Sequence, residues 1–133
     1  DKYITLFEHE FVRNFIHIQD VSSAFEFMIE NYDKHQGQIF NVGLSDTNIN
    51  KKELVERIQQ QIPNTSITYS DYFEDPDKRN YVVSNEKIEA TGWKPKYTLD
   101  DGITELIQAY KMIVPQESSR YRNAFPLSYG QSI

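Results

Sequence analysis

Residues 4–8 and 11–18 are dense in aromatic and β-branched side chains, with Glu8-His9-Glu10 placed between them as a turn or bulge. That pattern predicts two strands. From Asp20 the period lengthens: Val21, Ala24, Phe25, Met28 and Ile29 recur at helical spacing, and Asp20 is placed to cap the helix by accepting from the free amides of its first turn. Gly37 closes the polar stretch that follows, and residues 38–42 read as a short strand ending on Gly43.

The next helix carries the clearest start signal. Asn50 and Glu53 have the spacing of a capping box, Ile49 and Leu54 that of a hydrophobic staple, and Leu54, Val55, Ile58 and Ile62 supply the apolar face. Pro63 ends it, because an interior proline removes a donor and clashes with the preceding turn. Residues 66–69 alternate as a strand, residues 71–78 form an acidic, proline-containing loop, and residues 81–83 are extended. A short helix from Ser84 is expected to stop at Gly92 in the left-handed conformation, after which Trp93 is a core plug. The last helix begins near Asp100, with Ile103, Leu106, Ile107, Tyr110 and Val114 as its buried stripe and Pro115 as its end. No internal repeat or Gly/Ser linker divides these segments. The expectation is one small mixed α/β domain over residues 1–115, built of short strands and about four helices, and a tail over 116–133 that either docks or is disordered.

Composition narrows the function classes. At 133 residues, 38% apolar and 26% charged, the chain is suited to one globular core, and no apolar run approaches membrane-spanning length. The net charge of −6, with no long basic cluster, speaks against nucleic acid or anionic lipid as a partner, so any anionic ligand needs a local basic pocket. The absence of cysteine removes disulfides, thiolate nucleophiles and thiolate metal sites, and together with the lack of an apolar targeting segment it suggests a cytoplasmic protein. The chain enters strand-like sequence almost at Asp1, which reads as a cut made upstream.

Three runs carry the candidate chemistry: Arg13-Asn14-Phe15-Ile16-His17-Ile18-Gln19-Asp20-Val21, then Asn41-Val42-Gly43, then Asp75-Pro76-Asp77-Lys78-Arg79 continuing through Gly92-Trp93-Lys94-Pro95 to Asp101-Gly102-Ile103. In this order they resemble the C-terminal half of the extended short-chain dehydrogenases, the NAD-dependent epimerases and dehydratases that act on nucleotide-sugars. The resemblance implies that Arg13 and Arg79 contact the diphosphate of a nucleotide-diphosphate sugar. A guanidinium suits that task because it stays charged and offers a planar fork of donors to phosphate oxygens. The alternative is that each arginine only pairs with Glu8, Glu10, Asp75 or Asp77. His17 either meets the ligand or packs with an internal hydrogen bond, since family members carry tyrosine there as readily. Asn41 and Gly43 fix a turn, and Asn41 can also meet the ligand. Tyr72 and Phe73 either stack on a base or sugar or anchor the acidic loop. That loop lacks the spacing and glycine of a calcium loop, and His9, His17 and His35 have no metal-ligand spacing.

The family's acid/base pair is a tyrosine with lysine four positions on. None of the nine tyrosines here has lysine at that spacing, and no glycine-rich strand-to-helix turn is present to cradle a dinucleotide. The resemblance therefore implies a substrate-binding portion that lacks the N-terminal Rossmann domain. NAD or NADP would belong to the full-length enzyme, while this chain would be inactive alone, bind no cofactor alone, and tend to self-associate through the exposed domain interface. A free-standing, non-catalytic interaction module derived from the same domain is the alternative. Epimerase, dehydratase, decarboxylase and reductase chemistry are all compatible with this half.

Overall fold

The computed structural model describes residues 2–70, 72 and 78–112. The acidic loop at Asp71 and residues 73–77, including Phe73, Asp75 and Asp77, lies outside the described residues. So do Val114, the helix stop at Pro115 and the tail 116–133.

Among the described residues, four short strands and five helices follow one another as β1 (Lys2–Leu6), β2 (Val12–Asn14), α1 (Ile18–Glu30), α2 (Tyr32–His35), β3 (Asn48–Asn50), α3 (Lys51–Gln61), β4 (Thr65–Tyr69), α4 (Glu86–Glu89) and α5 (Leu99–Met112). This is a mixed α/β fold with two two-stranded sheets. β1 pairs in parallel with β4, Ile4 facing Ile67, and β2 pairs antiparallel with β3, Arg13 facing Ile49 and Asn14 facing Asn48. The turn between β1 and β2 is tight enough that Glu8 takes a positive φ of 44°. No helix among the described residues is long and apolar enough to cross a membrane.

The core is small and centred on Ala24, Ile88 and Trp93, with Ile16, Phe27, Met28 and Phe40 packed around it. Trp93 buries its ring and satisfies its indole N–H on Ser23 Oγ at 3.1 Å, as a buried tryptophan must. Full burial of a side chain the size of Ile88 contributes about 2 kcal/mol. Gly92 has φ 99°, the left-handed stop expected after α4. The capping box at α3 is complete: Asn50 Oδ1 accepts from the Glu53 amide at 2.9 Å, and Glu53 Oε2 accepts from the Asn50 amide at 3.1 Å.

Several expectations are corrected. Asp20 is not the N-cap of α1. That place belongs to His17, whose Nδ1 accepts from the Gln19 amide at 3.2 Å. Asp20 sits one turn inside, 1% exposed, and its two carboxylate oxygens accept from the amides of Lys96 at 2.9 Å and Tyr97 at 3.1 Å. A long-range clamp has displaced the local role. The strand expected over 11–18 is only Val12–Asn14. Residues 38–42 form no strand, because Ile39 stands in solvent and the segment is held by side chains: Lys87 Nζ donates to the Ile39 carbonyl and Asn41 Nδ2 to the Ser84 carbonyl. On α1 the core face is Ala24, Phe27 and Met28, while Phe25 and Ile29 are exposed. Among the described residues of the stripe expected on α5, only Ile103 is buried, with Leu106 at 59% and Tyr110 at 65% exposure.

Candidate functional site

Asparagine side chains assemble the site where backbone pairing stops. Asn14, at the end of β2, uses its amide as a surrogate backbone. Its Nδ2 donates to the Leu44 carbonyl at 2.8 Å and its Oδ1 accepts from the Leu44 amide at 3.2 Å. Asn48 on β3 does the same for Val83, accepting from its amide and donating to its carbonyl, both at 2.9 Å. On the other side of β2, Asn80 Oδ1 accepts from the Val12 amide at 2.9 Å, and the Tyr81 amide donates to the Val12 carbonyl at 3.0 Å. The segment 80–83 is thereby laid against β2 and β3 without being a strand of either sheet. Gly43 is required for this closure: a Cβ there would lie 2.0 Å from Asn14 Oδ1 and 3.0 Å from Asn85 Nδ2. Asn85 itself is 1% exposed, and neither polar atom of its amide has a hydrogen-bond partner among the described residues.

This scaffold brings Arg13 and Arg79 together. Arg13 Nη1 donates to the Val12 carbonyl at 2.9 Å and to the Arg79 carbonyl, 66 residues away, at 2.5 Å. Both guanidiniums lie over the ring of Tyr81, with Cζ 4.8 Å from the centroid for Arg13 and 5.3 Å for Arg79. Lys78 is next in the chain and pairs with Glu8 at 3.0 Å, whereas Glu10 pairs with His9 at 3.0 Å. In a chain of net charge −6, this gathers cationic donors at one end of β2.

The other candidates are placed differently. Asn41 is tied to the Ser84 carbonyl at 3.3 Å. Tyr72 is 92% exposed, its amide donating to Ser70 Oγ. The His17 side chain is 6% exposed and engaged at both nitrogens: Nδ1 caps α1, Nε2 meets Glu105 Oε2 at 2.9 Å, and the ring stacks on Tyr97 at 4.3 Å. Gly102 lets α5 approach this histidine, since a Cβ there would come within 3.3 Å of His17 Cδ2. Tyr81 and the asparagines at 14, 48 and 80 carry no local signal for these roles, because their partners lie 30 or more residues away.

Two apolar clefts, of about 440 and 430 Å³, lie between α3 and α5. Their lining includes Ile58, Ile103 and Leu106 but neither Arg13 nor Arg79. They are suited to covering apolar surface, whereas the arginine cluster is suited to binding an anion.

Among the described residues, the junctions from β2 into α1 through Phe15-Ile16-His17 and from β3 into α3 at Asn50-Lys51 contain no glycine. A pyrophosphate therefore finds no glycine-rich cradle among the described residues.

No family model matches the chain. It is 33% identical over 103 residues to dTDP-4-dehydro-6-deoxyglucose reductase of Escherichia coli, covering 74% of this chain and 31% of that protein. It is 28% identical over 129 residues to UDP-D-apiose/UDP-D-xylose synthase of rice, covering 81% and 32%. Among solved structures, dTDP-glucose 4,6-dehydratase of Bacillus anthracis in complex with NAD superposes with a TM-score of 0.64 at 28% identity, covering 83% of this chain and 35% of that one. The chain thus spans about a third of the length of the relatives it matches. With most of its own length matched by nucleotide-sugar dehydratases, synthases and reductases in both sequence and fold, the chain belongs to the extended short-chain dehydrogenase/reductase family.

Proposed function

We propose that this chain is the C-terminal, substrate-holding portion of a cytoplasmic NAD(P)-dependent nucleotide-sugar epimerase, dehydratase or reductase, with Arg13 and Arg79 gripping the diphosphate. The observation that carries the reading is the convergence of these two guanidiniums, 66 residues apart in sequence, within 5.3 Å of one ring centroid. A diphosphate offers oxygens to two guanidinium forks at once. Tyr72 presents an exposed aromatic face beside the acidic loop, suited to stacking on a base or sugar. Asn41 adds an amide at the loop preceding Gly43, and His17 orders the β2–α1 junction that carries Arg13.

In this reading NAD(P) and the acid/base tyrosine belong to a Rossmann portion outside the matched third, and this chain alone neither binds cofactor nor turns over substrate. The apolar clefts between α3 and α5 are the face we assign to that remainder, because the matched segment is only about a third of each relative.

Isothermal titration of the polypeptide that carries both portions, against UDP-, dTDP- and GDP-sugars, tests the assignment. One nucleotide class is expected to bind, and Arg13→Ala and Arg79→Ala should each weaken it roughly 10- to 100-fold through loss of charge-assisted hydrogen bonds. Binding of none of the three, or unchanged binding in both variants, overturns it.

A further inference from the structure

We infer that Tyr81 is a positioning residue whose ring holds Arg13 and Arg79 in place before the ligand arrives. The inference rests on the reading of these arginines as the diphosphate clamp. An arginine side chain has many rotamers, and ordering two of them on binding would cost affinity. Here both are already ordered: each lies over the same ring, and Arg13 is also tied to the Val12 and Arg79 carbonyls. The attraction of a cation to a ring face consumes no N–H donor.

The location of Tyr81 is set by its backbone and not by its ring. Its amide donates to the Val12 carbonyl, Asn80 before it accepts from the Val12 amide, and Val83 after it is gripped through both backbone groups by Asn48. Replacing the ring leaves every one of these bonds intact. The segment should therefore keep its path in a Tyr81 variant, while the guanidiniums lose their common support.

Two measurements on the polypeptide carrying both portions separate this inference from the reading beneath it. In NMR spectra without ligand, the side-chain signals of Arg13 and Arg79 are expected to show ring-current shifts that vanish in Tyr81→Leu and persist in Tyr81→Phe. In titrations with UDP, dTDP or GDP, whichever the protein prefers, Tyr81→Leu should bind roughly tenfold more weakly, since two exposed cation–π contacts are removed. Tyr81→Phe should restore affinity to within about twofold, and in an Arg13→Ala/Arg79→Ala background Tyr81→Leu should have no further effect. Ring-current shifts absent from the unsubstituted protein, or a Tyr81→Leu effect that persists in full without the arginines, overturn the positioning role. Ring-current shifts with binding that neither arginine influences overturn the clamp itself, and the role of Tyr81 falls with it.

Discussion

Asp20 shows how a single carboxylate can join distant parts of a chain. It is 1% exposed, and carboxyl oxygens at such burial need hydrogen-bond partners. Both have them, in the amides of Lys96 and Tyr97, 76 and 77 residues further on. The bonds fasten the segment after Trp93 to the first turn of α1, where the positive end of the helix dipole also favours a negative charge. Removing the carboxylate leaves two buried donors unmet. Asp20→Ala is therefore expected to lower the unfolding free energy by about 3 kcal/mol. Asp20→Asn should recover only part of the loss, because one oxygen becomes an amide donor facing another donor. Chemical denaturation of the two variants checks both; equal, near-zero changes would show that the clamp contributes nothing net.

At the scale of elements, helix starts dominate. α5 opens with a reciprocal cap at Thr98 and Asp101: Asp101 Oδ2 accepts from the Thr98 amide at 2.9 Å and its hydroxyl at 2.6 Å, and Thr98 Oγ1 accepts from the Asp101 amide at 3.2 Å. The bonds from the Thr98 hydroxyl and amide hold the Asp101 carboxyl below its ordinary value of 3.8. A folded-state value below the unfolded one means that the unfolded chain binds more protons in this range. The stabilisation is thus complete above about pH 4 and is lost as pH falls from 3.8 towards the depressed folded value. Asp101→Asn should flatten the fall of stability on acidification below about pH 4, as followed by helical circular dichroism. An unchanged acid limb would remove Asp101 from the account. The cap of α1 works differently. His17 uses Nδ1 as acceptor for the Gln19 amide, which leaves Nε2–H to donate to Glu105 on α5, so one ring joins the start of α1 to the middle of α5.

Over the whole molecule, the core is too small to cover its helices. Ala24, Ile88 and Trp93 are enclosed, but Phe25, Ile29, Leu106 and Tyr110 face solvent, and the clefts between α3 and α5 are almost wholly apolar. Exposed apolar surface of this extent favours association. The 133-residue chain on its own is expected to form dimers or larger species with rising concentration in sedimentation velocity, and Leu106→Glu to shift it towards monomer. A monomer at all concentrations would show that the clefts are covered by other means.

What could be read in the linear chain was the part that depends on near neighbours. The 3.6-residue period located α1, α3 and α5, the Asn50/Glu53 spacing identified the start of α3, and Gly92 marked a stop, because caps and periodicity act over three or four residues. The order of the motifs around Arg13, Asn41 and Arg79 points to the family, and none of the nine tyrosines has lysine four positions on. The three-dimensional arrangement decided everything that joins distant residues. Asp20 was a cap by spacing and became a clamp because Lys96 and Tyr97 bring their amides to it. Residues 38–42 look like a strand by composition, yet no partner strand reaches them. Tyr81 has no local signal at all, since its importance lies in two guanidiniums brought to it by asparagine amides that imitate the backbone. Hydrophobic period and capping are local free energies, legible along the chain, whereas which polar group satisfies which across 30 to 80 residues is settled only when the chain has closed on itself.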